Sequence, residues 1–223
     1  MNTKITLLFL LAGIVAFGQK IPKDKKQLIA SVENHKEDLI SISDKIWANA
    51  EIAFQESESS KLLADYAEAN GFTVERGVAD IPTAFIATYG EGKPVISVLG
   101  EFDALPGISQ KAQPTKEPLE AGAAGHGCGH NLFGTASLGA AIAVKEMIVA
   151  GEIKGTVKFI GTPAEEKFFG KLWMLEAGVW DDVDVNVSWH PSADTKADVQ
   201  SSLAMVDFIV EFNGQAAHVA ADP

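Results

Sequence analysis

The sequence predicts an α/β fold in which a mixed, mostly parallel sheet is flanked by helices. Two helical stretches precede three β-rich runs, and an apolar helical stretch separates these from two further β-rich runs. This alternation is typical of a layered α/β domain. The composition, with 47% hydrophobic and 22% charged residues among 223, is that of a globular protein that buries a core.

The first two helices are predicted from the spacing of their apolar residues. Intervals of three and four predict one long amphipathic helix from Asp24 to about Ala50. His35 lies at the edge of its apolar stripe with no other candidate metal ligand close by, so we expect a structural or surface histidine without a chemical role. A second helix is predicted from Ser57 to Ala69, ending at Asn70-Gly71.

The remaining elements of the first domain are five strands and a buried helix. The helix is predicted over Leu132–Ala150, where small and apolar residues follow one another, and Gly151 comes after it. The strands, of which the last two are expected to be inner strands, are predicted over Phe72–Val78, Thr83–Thr88, Val95–Leu99, Thr156–Thr162 and Val183–Trp189.

The pattern changes after Pro191, which predicts the start of a second domain. A polar stretch leads into a predicted strand over Leu203–Asn213, and Gly214-Gln-Ala-Ala-His218 follows. We therefore divide the chain into a first domain at 19–198 and the start of a second at 199–223.

Residues 1–18 are typical of a secretory signal peptide. Lys4 supplies a positive start, Ile5–Phe17 is apolar, and Ala16-Phe17-Gly18 ends in small residues. A membrane anchor would need about 18 to 20 apolar residues, and this stretch is shorter. We expect an exported protein, periplasmic or secreted, without a stable membrane span.

The charge balance excludes one class of partner. The sequence has 18 Lys and Arg against 30 Asp and Glu, a net charge of -12. Such a chain is repelled by phosphate backbones, so we expect no nucleic-acid binding.

Polar residues with metal-ligand chemistry follow three of the predicted strands. Glu101 and Asp103 come after one strand, Glu165-Glu166 after another and His190 after the last. Open α/β sheets bind their ligands at the carboxyl ends of strands. A glycine-rich loop before the buried helix, Gly125-His-Gly-Cys-Gly-His-Asn, adds a thiol and two imidazoles.

These residue types predict a metal site. Cys128, His130, Glu166 and His190 supply the sulfur, nitrogen and oxygen ligands that zinc takes, and an unligated Glu165 suits a general base. Manganese or cobalt would fit a site dominated by carboxylates. The alternative is a thiol hydrolase with Cys128 as nucleophile and His130 or His126 as base.

Five ordered motifs resemble the aminoacylase/carboxypeptidase superfamily of metal-dependent amidohydrolases and metallopeptidases. They are Gly100-Glu-Phe-Asp-Ala-Leu-Pro-Gly, Gly125-His-Gly-Cys-Gly-His-Asn, Gly161-Thr-Pro-Ala-Glu-Glu, Trp189-His-Pro and Gly214-Gln-Ala-Ala-His. The Cys-Gly-His motif is similar to the amidohydrolase branch that acts on hippurate, indole-acetyl-amino acids and p-aminobenzoyl-glutamate, the last most closely.

The resemblance implies a zinc-exopeptidase-like catalytic domain with a small α+β lid and dimerisation domain. It implies two divalent metal ions, with Cys128, His130, Glu166 and His190 as ligands and Glu165 as general base. Asp103 corresponds to a supporting acid, and His218 to a lid histidine that polarises the scissile carbonyl. Glu101 occupies a place where sister branches carry a ligating His, and its role stays open.

The resemblance also implies hydrolysis of the amide bond in N-acyl or N-aroyl amino acids, in a homodimer or hetero-oligomer. Family members are roughly twice as long, and a later ligating His and the substrate-carboxylate contacts have no counterpart here. We therefore expect a C-terminally truncated chain. A catalytically inactive remnant that binds a metal or a ligand is the alternative.

Overall fold

The computed structural model describes residues 21–197 together with Ala204, Val210 and Glu211. The chain divides into two compact units, Met1–Pro191 and Ser192–Pro223. The predicted signal segment at 1–18 lies outside the described residues, as do His218 and most of the strand predicted from Leu203.

Three helices open the first unit: α1 at Lys23–Asn34, α2 at Lys36–Asn49 and α3 at Ser57–Ala69. The bounds predicted for α3 are confirmed, but the single long helix predicted before it is wrong. The helix breaks at His35, whose ring lies 2.8 Å from the Tyr66 hydroxyl and 3.0 Å from a Glu146 carboxylate oxygen. The ring thereby joins this break to two other helices, a structural role.

The sheet has five strands in the order β1-β2-β4-β3-β5. Strand β2 is antiparallel to both β1 and β4, whereas β3 is parallel to both β4 and β5. Helix α4 at His130–Val149 connects β3 to β4, and α5 at Gly170–Glu176 connects β4 to β5. The strands are β1 Thr73–Arg76, β2 Phe85–Glu91, β3 Val95–Glu101, β4 Gly155–Thr162 and β5 Val185–Val187, with a 3-10 turn at Val78–Asp80.

The core lies between this sheet and helices α2, α3 and α4. Among the described residues, α4 is the one helix long and apolar enough to cross a membrane, and 56% of its apolar window is buried inside the protein. It is thus the core helix predicted from the sequence. Fully buried core residues include Ile46, Leu63, Phe85, Leu138 and Phe159.

The last strand differs from its prediction. An inner strand was expected over Val183–Trp189, but β5 has three residues, and all of them are exposed. Val185 and Val187 are 50% and 49% exposed because β5 lies at the edge of the sheet, with β3 as its neighbour. The β-rich run thus predicted a strand correctly but did not predict its exposure.

The parallel strands bring the predicted site residues to the end of the sheet where the carboxyl ends of these strands lie. Glu101 at the end of β3 is in register with Thr162 at the end of β4, and β5 runs the same way beside β3. Glu101-Asp103, Glu165-Glu166 and His190 therefore follow neighbouring strand ends, as predicted.

Candidate metal centre

His130 is the first residue of α4 and is fully buried. Its Nδ1 lies 2.9 Å from Asp103 Oδ1 and 3.1 Å from the Asp103 carbonyl oxygen. The other oxygen of this buried carboxylate, Asp103 Oδ2, accepts a 2.9 Å hydrogen bond from the backbone N–H of Glu166. Asp103 thus fixes the His130 ring and the loop after β4 together.

With Nδ1 held by Asp103, Nε2 of His130 faces the interior of the site. Glu101 Oε2 lies 2.9 Å from it, His190 Nε2 3.4 Å and Glu166 Oε1 3.9 Å. Burial lowers the pKa of His130, but the hydrogen bonds to Asp103 and Glu101 outweigh burial and raise that pKa to about 10. The acidic side chains thus favour positive charge at this point.

Glu101 is buried and is paired on its second oxygen by a lysine. Lys171, in α5, donates a 2.5 Å hydrogen bond to Glu101 Oε1. Burial raises the pKa of Glu101, but His130 and Lys171 together lower it overall. The carboxylate is therefore held in its charged form.

Cys128 and His190 are the remaining candidate ligands beside His130. Cys128 Sγ lies 3.4 Å from His190 Nε2, and His190 is exposed. Within the part of the chain that the structure describes, two groups have ligand atoms that all lie within 4.8 Å of one another: Cys128 with His130 and His190, and Glu101 with His130 and Glu165. The structure thus joins three of the four predicted ligands in one group and the predicted base in an adjoining group.

The donor atoms fit a divalent cation. Glu166 Oε1 is a buried side-chain oxygen without a hydrogen bond, at a site that also contains a thiol and two imidazoles. Buried, unpaired oxygens are unfavourable unless a cation or a proton satisfies them. Burial accordingly raises the pKa of Glu166. This mixed set of sulfur, nitrogen and oxygen donors is one that zinc accepts.

The surroundings of Cys128 disfavour a nucleophilic thiol. Burial and the nearby carboxylates of Glu166, Glu165 and Glu101 raise the pKa of Cys128 to about 12. A catalytic thiolate needs the opposite environment, in which positive charge lowers the pKa. Nε2 of His126 lies 3.1 Å from the carbonyl oxygen of Ile46, so this nitrogen is not available to Cys128 as a base.

Two residues of this region escaped the sequence analysis. Lys171 had no local signal, since a lysine in a short helix is ordinarily solvated. Glu56 is completely buried and accepts a 2.9 Å hydrogen bond from the backbone N–H of Ala164, next to Glu165. Its sequence neighbours, Gln55 and Ser57, are polar and give no sign of its burial.

Comparisons with known proteins find relatives of this chain. The family model described as peptidase family M20/M25/M40 matches residues 98–220, more than half of the chain. The chain is 46% identical over 196 residues to one of the subunits of p-aminobenzoyl-glutamate hydrolase from Escherichia coli (strain K12), covering 86% of this chain and 40% of that protein. It is 31% identical over 154 residues to the other subunit of this hydrolase, covering 63% of this chain and 35% of that protein.

A solved structure extends the similarity to the fold. A dinuclear metal binding peptidase from the M20 family of Bacillus subtilis is 30% identical and superposes with a TM-score of 0.62, covering 74% of this chain and 44% of that one. The chain thus spans less than half the length of each of these relatives. On its sequence match and its fold, the chain belongs to peptidase family M20/M25/M40.

Proposed function

We propose that this chain carries the hydrolytic centre of a metal-dependent amidohydrolase that cleaves N-acyl or N-aroyl amino acids and releases the free amino acid. The observation that carries the proposal is the convergence of Cys128, His130 and His190, whose ligand atoms lie within 4.8 Å of one another. The family match and the 46% identity to one E. coli p-aminobenzoyl-glutamate hydrolase chain support it. p-Aminobenzoyl-glutamate is accordingly the first substrate to test.

In this proposal Cys128, His130, Glu166 and His190 hold two divalent ions. Zinc is the first choice because its protein sites combine sulfur, nitrogen and oxygen ligands, and manganese or cobalt are the alternatives. When bound, such ions supply a Lewis acid for the carbonyl oxygen of the scissile amide.

Glu165 is proposed as the general base. Its carboxylate takes a proton from water as the water oxygen adds to the amide carbonyl carbon, and it then passes that proton to the nitrogen of the leaving amine. The C–N bond breaks, and the products are a carboxylic acid and a free amino acid. The enzyme forms no covalent bond to the substrate at any step.

In this proposal the neighbouring residues orient the ligands and balance their charge. Asp103 accepts the hydrogen bond of His130 Nδ1, so that Nε2, once it loses its proton, would offer its lone pair to a metal ion. Lys171 balances the charge of Glu101. The family resemblance alone supports the proposed role of His218, which is to polarise the scissile carbonyl.

Elemental analysis and a hydrolysis assay on the same preparation test this function. We expect near-stoichiometric metal in the purified chain and hydrolysis of p-aminobenzoyl-glutamate that a chelator abolishes. Glu165→Gln should retain metal and lose hydrolysis, whereas Glu176→Gln, an exposed residue at the end of α5, should leave both unchanged. Retained metal without hydrolysis by the wild-type chain would instead support the inactive, metal-binding alternative.

Assembly and location are further parts of the proposal. Similarity to both subunits of one E. coli hydrolase supports assembly with a second chain, either another copy or a related protein. Light scattering of the chain, alone and co-expressed with a homologue of the less similar E. coli chain, tests this. The signal-like residues 1–18 support export, and N-terminal sequencing of the protein from the producing cell tests their removal.

A further inference from the structure

Two segments that are distant in sequence meet beside the candidate metal centre. One is the connector, residues 51–56, between α2 and α3; the other is the glutamate loop, residues 163–169, after β4. Inside the protein, Glu56 Oε1 accepts a 2.9 Å hydrogen bond from the backbone N–H of Ala164. Nearer the surface, the rings of Phe54 and Phe168 stack with centroids 5.7 Å apart and planes 12° from parallel.

The carboxyl group of Glu56 is unusual for its burial. Its side chain is fully buried, and its second oxygen, Oε2, accepts a 3.1 Å hydrogen bond from the Thr83 hydroxyl. Burial raises the pKa of Glu56 to about 7, because the charged form loses its hydration. An apolar side chain would fill this space without that penalty, so the contribution of Glu56 lies in the hydrogen bonds that it accepts.

The glutamate loop needs such support because its backbone is strained. Ala164 has φ +58°, Phe168 +73° and Phe169 +54°, and Phe54 in the connector has +61°. Residues with a Cβ atom disfavour this left-handed region and keep it where the surrounding structure holds them. Ala164 directly precedes Glu165, so its backbone angles set the direction in which the loop leaves β4.

The connector also holds the other segment that delivers site carboxylates. The backbone N–H of Ala104 donates a 2.8 Å hydrogen bond to the carbonyl of Glu51, and Ile52 forms a parallel bridge with Ala104. Ala104 directly follows Asp103. The connector therefore ties together the two segments that carry Asp103 and Glu165.

We infer that Glu56 is a positioning residue, which holds the Ala164 turn so that the carboxylates of Glu165 and Glu166 face the site. The catalytic importance of that position rests on the proposed function. The positioning itself can be measured without turnover, because it concerns the order of the loop and the affinity of the site for a metal.

The test compares three variants by hydrogen exchange and by Zn²⁺ titration of the whole chain. Glu56→Ala removes the acceptor for the Ala164 N–H, whereas Glu56→Gln keeps an oxygen that can accept it. Ser60→Ala is the matched control, since the Ser60 hydroxyl donates to the carbonyl of Thr83 at 2.8 Å and does not take part in the bond to Ala164. Amide exchange of residues 163–169 is followed by mass spectrometry.

We expect Glu56→Ala to speed exchange in the glutamate loop and to weaken Zn²⁺ binding by about tenfold to a hundredfold, the range typical of residues that orient metal ligands. Glu56→Gln should stay close to wild type, and Ser60→Ala should change neither readout. Wild-type exchange in Glu56→Ala, or an equal effect of Ser60→Ala, overturns the inference.

Two further outcomes keep the inference separate from the proposed function. If the wild-type chain binds no Zn²⁺, the proposed function fails, and loop exchange still decides the role of Glu56. If Glu56→Ala does not fold, Glu56→Asp replaces it. The Asp side chain is one methylene shorter than that of Glu, so its carboxyl group does not reach the N–H of Ala164. Faster amide exchange in the glutamate loop is again expected, and unchanged exchange contradicts the inference.

Discussion

Strands β3 and β5 lie side by side in parallel, and residues of the candidate metal centre follow both, yet their surroundings differ. All but one of the seven residues of β3 are buried, whereas all three residues of β5 are exposed. The two histidines differ in the same way. His130, held by Asp103 two residues after β3, is fully buried, and His190, three residues after β5, is exposed.

The comparison divides the site into a fixed side and an accessible side. On the fixed side, Asp103 holds His130 Nδ1 through its carboxylate and also bonds the Glu166 backbone. On the accessible side, His190 Nδ1 lies 2.9 Å from the carbonyl oxygen of the adjacent Pro191. A ligand on the fixed side is oriented before an ion binds, whereas His190 is positioned by the short strand that precedes it.

The largest expected difference concerns stability. Leu99→Ala in β3 removes a side chain that is 6% exposed and should lower the free energy of unfolding by about 2 to 5 kcal/mol. Val187→Ala in β5 removes one that is 49% exposed and should change it by no more than about 0.5 kcal/mol. Urea unfolding of both variants measures this, and equal losses would contradict a difference in packing between the strands.

The next largest effect is the pH dependence of stability, which tests the buried carboxyl group of Glu56. Because the pKa of Glu56 is raised from 4.5 to about 7, its contribution to stability is fully present below pH 4.5 and is lost as pH rises through 7. Relative to Glu56→Gln, wild type should therefore lose about 3 kcal/mol between pH 4 and pH 8. Urea unfolding at both pH values checks this.

Glu176→Gln provides the comparison for that experiment, since Glu176 is exposed. Its stability should follow that of wild type across the whole pH range. A pH-independent difference between wild type and Glu56→Gln would show that the Glu56 carboxyl titrates normally.

Asp103→Asn tests the fixed side for metal binding. An amide offers one acceptor oxygen where His130 Nδ1 and the Glu166 N–H need two, so we expect the ring to lose its orientation. Zn²⁺ affinity should fall by about tenfold to a hundredfold. Asp182→Asn, an exposed partner of Lys158, should leave titration by calorimetry unchanged. Equal affinities for all three proteins would mean that Asp103 does not orient His130.

The smallest effect is expected on the accessible side. Trp189 Nε1 donates a 3.0 Å hydrogen bond to the Ser137 hydroxyl, and this bond anchors the residue before His190 to α4. Trp189→Phe should lower the free energy of unfolding by about 0.5 to 1.5 kcal/mol. Its loss of Zn²⁺ affinity should be smaller than that of Asp103→Asn. A larger loss would mean that metal affinity depends more on the position of His190 than on the orientation of His130.

Local sequence patterns predicted the elements whose surroundings are uniform. Helix α3 has its predicted bounds, and β3, β4 and α4 begin and end within two residues of the expected positions, because continuous apolar runs specify buried elements. The break at His35 was not predictable, since it depends on Tyr66 and Glu146, which are distant in sequence. The exposure of β5 likewise depends on what lies beside the strand.

In the candidate site, too, local sequence patterns predicted some residues, whereas others depend on contacts between distant parts of the sequence. Cys128, His130 and His190 could be proposed because strand ends and a glycine-rich loop place metal-ligand residue types at one edge of the sheet. Glu56 and Lys171 reach the region through tertiary contacts with Ala164 and Glu101, and their own sequence neighbours give no indication of this.

The position of His130 at the start of α4 also has a kinetic consequence. Because α4 forms part of the core, the His130 ring can leave the site only when that core opens, which is a rare and cooperative event. His190 can swing away through a local fluctuation of exposed backbone. An ion held by both histidines would therefore begin to dissociate at His190, and its residence time would be governed by how often the backbone around His190 opens.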